Sequence, residues 1–328
     1  MHKIKLNLLN EEFAGRQFAL LIGLGFDQRS LCAVENLAKD LPQKTIGILN
    51  PVRAGTPQTN YHEDFISKTK ETRELIGLNS HSLINTIDRL QEEIQNLKVL
   101  KLDIILDITS LSHELLVAII GLLASENLFK KTTIIYTTAS EYSYNTDNNS
   151  KWLSRGISDI RSILGFPGMM LPSRKLHLII MAGFESDRAM EVISRYEPAR
   201  LSIGYGSRKD SVLLEHHNTN REFAKNIFNY VIENELVDDS PLQFEFSCNN
   251  PLTTKKILIN HINSFPNDNI IICALNNKIS TIGAALAALE NPKIQICYAQ
   301  PQEYNILGYV KPGDEVTIID LPVDADFY

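Results

Sequence analysis

The sequence predicts an α/β protein made of two tandem Rossmann-like units, each a doubly wound, mostly parallel sheet, related by internal duplication. Three observations lead there. Continuous apolar runs, such as residues 176–182 and 270–275, suit strands buried on both faces of a parallel sheet. The stretches between such runs, such as 83–97 and 221–232, carry apolar residues at helical period. The same succession of elements and small motifs then occurs twice in one chain.

Taken in order, the first half places strands near 17–24, 45–50, 73–77, 102–108, 132–137 and 160–165. The second places them near 176–182, 200–205, 242–247, 269–274, 294–298 and 315–320. Alternating strands and helices imply right-handed crossovers and an open sheet. The Pro- and Gly-rich stretch 167–175 marks the boundary, dividing the chain into units 1–172 and 173–328.

The repeat is legible residue by residue. Gly25-Phe26-Asp27 with Arg29 matches Gly183-Phe184-Glu185 with Arg188, each after an apolar strand. Gly121 and Gly283, in the apolar helices that follow the fourth strands, stand at equal intervals before Tyr136 and Tyr298. Each tyrosine opens a Tyr-x4-Glu-Tyr pattern, with Glu141 and Tyr142 in one half and Glu303 and Tyr304 in the other. Each half then closes on a short apolar strand ending at Pro167 or Pro322.

Bulk properties narrow the function classes. With 44% hydrophobic and 22% charged residues, 328 residues suffice for two domains with real cores. A net charge of −7 removes the general attraction to phosphate backbones that broad nucleic-acid binders use. No apolar run approaches the ~18 residues of a membrane span, and the amino-terminal residues lack the pattern of a signal peptide. Cys32, Cys248, Cys273 and Cys297 show no paired spacing, so a reducing cytoplasm is expected.

Open α/β sheets bind ligands beyond the carboxyl ends of their strands, where strand order reverses. In the first half, that rule selects Gly23, Gly25, Asp27, Arg29 and Ser30 from one loop and Asp107, Thr109, Ser110, Ser112 and His113 from another. Asn50 and Arg53 come from the loop after the second strand. The second half supplies Gly183, Glu185 and Arg188, then Asn276, Asn277 and Lys278, with Tyr205, Gly206, Ser207 and Arg208 after its second strand. Glycines admit close backbone approach, hydroxyls and amides bond phosphate or ribose, and Arg and Lys bring charge.

Each choice has a plain structural alternative. Gly23-Leu24-Gly25 lacks the third glycine of a dinucleotide fingerprint and serves equally as a tight strand-to-helix turn. Thr109, Ser110 and Ser112 suit helix capping, and Asp27 and Glu185 suit a helix amino terminus. Phe26 and Phe184 read as core plugs, and the tyrosine motif reads as packing. Asp107, His113 and Glu141 are the catalytic candidates, although no histidine stands opposite His113 in the second half. No nucleophile elbow, Walker A loop, HExxH or CxxC occurs, and His216-His217 lacks a third ligand at metal spacing. Neither a metal nor a cofactor is expected.

Residues 106–112, Leu-Asp-Ile-Thr-Ser-Leu-Ser, resemble the fourth-strand loop of CARF domains, and residues 25–30 occupy their first-strand loop position. A chain of two such units is similar to SAVED domains, which fuse two CARF-like halves. The resemblance implies a bacterial sensor of nucleotides or cyclic oligonucleotides, or an accessory subunit of a defence or stress system with an operon-encoded protein partner. Here Leu111-Ser112-His113 replaces the Gly-Gly or Gly-Thr-Lys character of that loop, and the second half has Asn276-Asn277-Lys278 and no Asp-x-Thr. Two alternatives stand beside the sensor: an enzyme on a nucleotide or nucleoside-like substrate, and a structural or interaction subunit. Because the halves differ most at Asp107-Ile108-Thr109 and His113, specific chemistry is expected in the first.

Overall fold

The computed structural model describes residues 1–51, 61–71, 73–78, 80, 82–142, 153–211, 214–306 and 309–321. Arg53 and Pro322 lie outside them. The chain opens with two elements absent from the sequence-based expectation, β1 (His2–Lys5) and the short helix α1 (Leu9–Glu12). The first repeat then runs β2 (Phe18–Leu24), α2 (Cys32–Asn36), β3 (Lys44–Leu49), α3 (His62–Lys68) and β4 (Glu74–Ile76). It continues through α4 (Leu83–Val99), β5 (Asp103–Asp107), α5 (His113–Ser125) and β6 (Thr132–Tyr142).

The second repeat follows β7 (Ser154–Pro167) with β8 (Leu176–Met181), α6 (Asp187–Tyr196), β9 (Arg200–Gly206), α7 (Leu214–Glu233) and β10 (Leu242–Phe246). Then come α8 (Pro251–Asn263), β11 (Asn269–Ala274), α9 (Lys278–Glu290), β12 (Ile294–Tyr304) and β13 (Val310–Asp320). Every strand of the sequence-based expectation is present. The protein is α/β, with two mostly parallel sheets and interleaved helices.

The seven-stranded sheet has the order β1-β13-β6-β5-β2-β3-β4, and the six-stranded sheet β10-β9-β8-β11-β12-β7. Within them β4-β3-β2-β5-β6 and β10-β9-β8-β11-β12 are parallel and identically ordered. All of β2 is buried, as a central strand covered on both faces requires.

The closing strands are exchanged. β7, expected to close the first unit, pairs antiparallel with β12 of the second sheet, and β13 pairs antiparallel with β6 of the first. The compact units are therefore Met1–Lys151 with Ile306–Asp326, and Trp152–Asn305, which corrects the boundary expected at residue 172. The physical reason lies in the duplication: β6 and β12 are equivalent strands, so either edge accepts a closing strand of similar pattern.

Strand register fixes which positions correspond between the units. Ile22, three residues before Gly25, pairs with Asp107, while Ile180, three before Gly183, pairs with Cys273. On the other side Asp107 pairs with Ile135 and Cys273 with Cys297. Asp107 and Cys273 thus hold the same place in the two sheets. Gly121 and Gly283 do not correspond, being the ninth residue of α5 and the sixth of α9, because a 3-10 turn at Phe129–Lys131 lengthens the first unit before β6. Gly283 instead lets α8 and α9 meet, since a Cβ there would lie 2.6 Å from Thr254. All four cysteines are buried and unbridged, and no described helix is long and apolar enough to cross a membrane.

Candidate functional site

In both sheets the strand order reverses beside the first strand of the repeat, between β2 and β5 and between β8 and β11. Here the crossovers leave on opposite sides, and in open α/β sheets this is the place beyond the carboxyl ends of the strands where the ligand crevice lies. The two crevices are built differently.

In the first unit, the loop after β2 lies against the loop after β5. Gly23 makes this possible, since a Cβ there would stand 2.6 Å from the Leu111 backbone nitrogen. Ser30 Oγ donates to the Asp27 carbonyl oxygen at 2.7 Å and bridges to Ser110 Oγ, also 2.7 Å away. From the third loop, Asn50 donates to the Ser110 carbonyl oxygen at 2.9 Å and accepts the Ser112 amide at 2.6 Å. Ser112 caps α5 by accepting the Leu115 amide at 3.2 Å, and His113 begins that helix. Gly25, Asn50, Ser112 and His113 keep part of their surface exposed, so the α5 amino terminus and its cap face the crevice rim.

Asp27 and Arg29 sit beneath that rim. Arg29 is only 2% exposed and donates to the Asp27 carboxylate at 2.7 Å and the Thr137 carbonyl oxygen at 3.0 Å. It also lies 5.5 Å over the Tyr136 ring. Burial opposes the guanidinium charge, but the Asp27 carboxylate reverses that and holds the Arg29 pKa well above its ordinary value. The second unit repeats the device: Arg188 donates to Glu185, to Ser154 Oγ and to the Ala299 carbonyl oxygen. Thr137 and Ala299 each follow the repeated tyrosine. The repeated acid and arginine therefore clamp the first-strand loop to the fifth strand in both units, and in the first unit Tyr136 joins them. Arg29 and Arg188, expected as phosphate contacts, are engaged inside the protein together with Asp27 and Glu185.

Asp107 is the exception to this pairing. It is 1% exposed, and its Oδ1 accepts the Thr109 amide at 2.9 Å, while Oδ2 has no hydrogen-bond partner among the described residues. Thr109 Oγ1 accepts the Thr137 amide at 3.0 Å, and Thr137 Oγ1 is itself buried without a partner among the described residues. Burial pushes the Asp107 carboxyl up to about 6, against the Thr109 hydrogen bonds and the nearby Arg29 charge. Glu141, by contrast, is an exposed residue paired with Lys311 at 2.7 Å.

In the second unit the corresponding loops are held by amides. Gly183 leaves no room for a Cβ, which would fall 2.0 Å from the Leu275 carbonyl oxygen. Asn276 donates to the Ala182 carbonyl oxygen at 2.6 Å and accepts the Asn277 amide at 2.8 Å. Asn277 caps α9 at Ser280 and donates to the Cys248 carbonyl oxygen at 2.7 Å. Asn220, which sequence reasoning missed because it lies mid-helix in α7, bonds the Ala182 and Gly183 carbonyl oxygens at 2.8 Å and accepts the Gly206 amide at 2.6 Å. Ser207 donates to Asp210 at 3.2 Å, and Lys278 opens α9. Asn276, Asn277 and Ser207, expected as ligand contacts, instead stitch the second unit's loops together.

Phe26 and Phe184, expected as core plugs, are both partly exposed at the crevice rims. Phe26 meets Tyr309 edge-on, with centroids 5.0 Å apart and planes at 78°. Phe184 meets His216 at 5.7 Å and 59°. Nothing local in the sequence points to Tyr309, which lies just before β13.

No protein-family model matches the chain, and no curated protein matches it. Among solved structures, it is similar to the adenylation, ketoreductase and pseudo-Asub multidomain structure of a keto acid-selecting NRPS module. That likeness covers 85% of this chain and 30% of the other, at 10% identity and a TM-score of 0.26. At that score it bears on neither fold nor chemistry.

Proposed function

We propose that the chain is a nucleotide-binding protein whose ligand occupies the first unit's crevice. In this reading it is a CARF- or SAVED-like cytoplasmic sensor of cyclic oligonucleotides, or an accessory subunit acting with a partner protein in a bacterial defence or stress system. One observation carries it: Asp107 stands at the switch point where the second unit, on the same fold, holds Cys273. A buried carboxylate with an orphaned oxygen costs stability, and the fold does without it in its other half. Retention of that charge at the ligand-binding end of the sheet supports a role in recognition. In the loop that follows Asp107, the Ser110 and Ser112 hydroxyls and the α5 amino terminus are the kinds of donor a phosphate or ribose requires.

Calorimetric titration with AMP, GMP, cyclic di-AMP, cyclic di-GMP and cyclic tri- and tetra-adenylate tests the proposal. At least one is expected to bind well below millimolar. His113→Glu, which places a carboxylate at the first turn of α5 where the helix tolerates it, is expected to weaken that binding tenfold or more. No binding tighter than millimolar across the series overturns the proposal.

The Asp107 carboxyl near 6 favours one alternative, an enzyme using it as general acid or base on a nucleotide-like substrate. Turnover abolished by Asp107→Asn, with binding retained, distinguishes that reading from sensing.

A further inference from the structure

We infer that the corner between the Phe26 and Tyr309 rings is a nucleobase-stacking site at the rim of the first crevice. The inference rests on the nucleotide-binding reading above and names where the base goes.

Gly25, the residue before Phe26, packs so closely on the neighbouring loops that an added Cβ would lie 3.3 Å from the Ser110 carbonyl oxygen and 3.4 Å from Asn50. Phe26 is therefore rooted beside the residues that position the α5 cap. Its side chain is partly exposed, although a phenylalanine in a merely structural turn gains most by full burial. Its contact with Tyr309 is edge to face, with the planes at 78°, so the rings form two walls of a corner. A flat heterocycle laid on one ring meets the edge of the other, the arrangement aromatic quadrupoles favour. Below the rim, the Tyr136 hydroxyl accepts from the buried Arg29 at 3.4 Å. Asp27, the nearest carboxylate in sequence, is neutralised by Arg29, so it presents no bare charge to an incoming phosphate.

The second unit provides an internal comparison. Phe184, the repeat equivalent of Phe26, also meets a ring at its rim, but that ring is His216 on α7, an element unrelated to the segment bearing Tyr309. Two independent segments supply an aromatic partner to the same repeated phenylalanine.

The test compares the nucleotide series above with ribose 5-phosphate, which keeps sugar and phosphate and lacks the base. Wild type is expected to bind its preferred nucleotide at least tenfold more tightly than ribose 5-phosphate. Phe26→Leu is expected to lose about 10- to 100-fold in nucleotide affinity and leave ribose 5-phosphate unchanged, with the melting temperature recorded alongside. Phe26→Trp is expected to retain binding and to show indole fluorescence quenched by the nucleotide. Phe26→Leu binding the nucleotide as wild type does overturns the stacking site while leaving the nucleotide reading intact. Equal loss for the nucleotide and ribose 5-phosphate also overturns it, since the ring is then only structural. A series in which no nucleotide binds overturns both.

Discussion

Asp107→Asn replaces a buried, ionisable carboxyl with a neutral group of the same shape. The folded carboxyl ionises near 6 because it is buried, against an ordinary value of 3.8. Above pH 6 the ionised carboxylate is therefore a liability to the folded unit, and below 3.8 it is protonated in both states and has no such effect. Between these limits the folded state holds the proton that the unfolded chain has released, so this contribution to stability fades as pH rises through 6. The gap of about two units corresponds to roughly 3 kcal/mol at full ionisation. Asp107→Asn is thus expected to be more favourable at pH 8 than at pH 4, by about 2–3 kcal/mol.

The pH difference is the quantity to read, because any cost of placing an amide nitrogen beside Thr137 is common to both conditions. Urea unfolding at pH 4, 6 and 8, with hydrogen exchange of the β5 amides reporting on the first unit, measures it. A mutational effect that does not change with pH refutes the reasoning, since the carboxyl then titrates as a solvated one. Asp107→Cys, which installs the residue found at the matching place in β11, is expected to fold with the same loss of pH dependence.

Arg29→Met leaves the Asp27 carboxylate buried and unpaired, and is expected to destabilise the first unit by about 3–5 kcal/mol in the same urea assay. A loss below about 1 kcal/mol contradicts the clamp. In the second unit, fully buried His177 shares the Ser202 hydroxyl with His261, at 2.7 and 2.8 Å, and burial holds the His177 pKa down to about 3 and that of His261 below ordinary. The unfolded chain accepts the His177 proton near 6.5, so stability is complete above that pH and falls toward pH 3 by up to about 1.4 kcal/mol per unit. Exchange of the β8 amides should show the slope, and His177→Gln should flatten it. The strand exchange predicts that residues 152–305, which hold all six strands of the second sheet, fold alone by circular dichroism and dispersed amide spectra. A fragment 1–172, deprived of β13 and carrying β7 without β12, should not, and its native-like folding would contradict the pairing.

Strand positions and their parallel order were legible because both are written locally: an apolar run of strand length, a helix-period segment, then another run. Duplication made the reading redundant, as agreement between Gly25-Phe26-Asp27 and Gly183-Phe184-Glu185 located the first strand of each unit. The loops of the candidate site followed from strand order alone, because a reversal in a parallel sheet opens a crevice whatever the side chains are. Side-chain roles did not follow. Arg29 and a surface arginine read alike in a sequence, and only packing shows that its partners are Asp27 and a carbonyl 108 residues away. Burial likewise turns Asp107 from an ordinary carboxylate into one that ionises near 6, and burial is a sum over residues distant in sequence.

By itself the sequence determined two α/β repeats and the place of each strand. Only the tertiary structure decided which sheet β7 and β13 complete, which repeated residues are internal braces, and that Asp107 is buried where the second unit has Cys273. The physical reason is common to all three. Duplication makes the local patterns of the two halves nearly interchangeable, so choosing between equivalent edges and equivalent loops depends on contacts made only once the whole chain has folded.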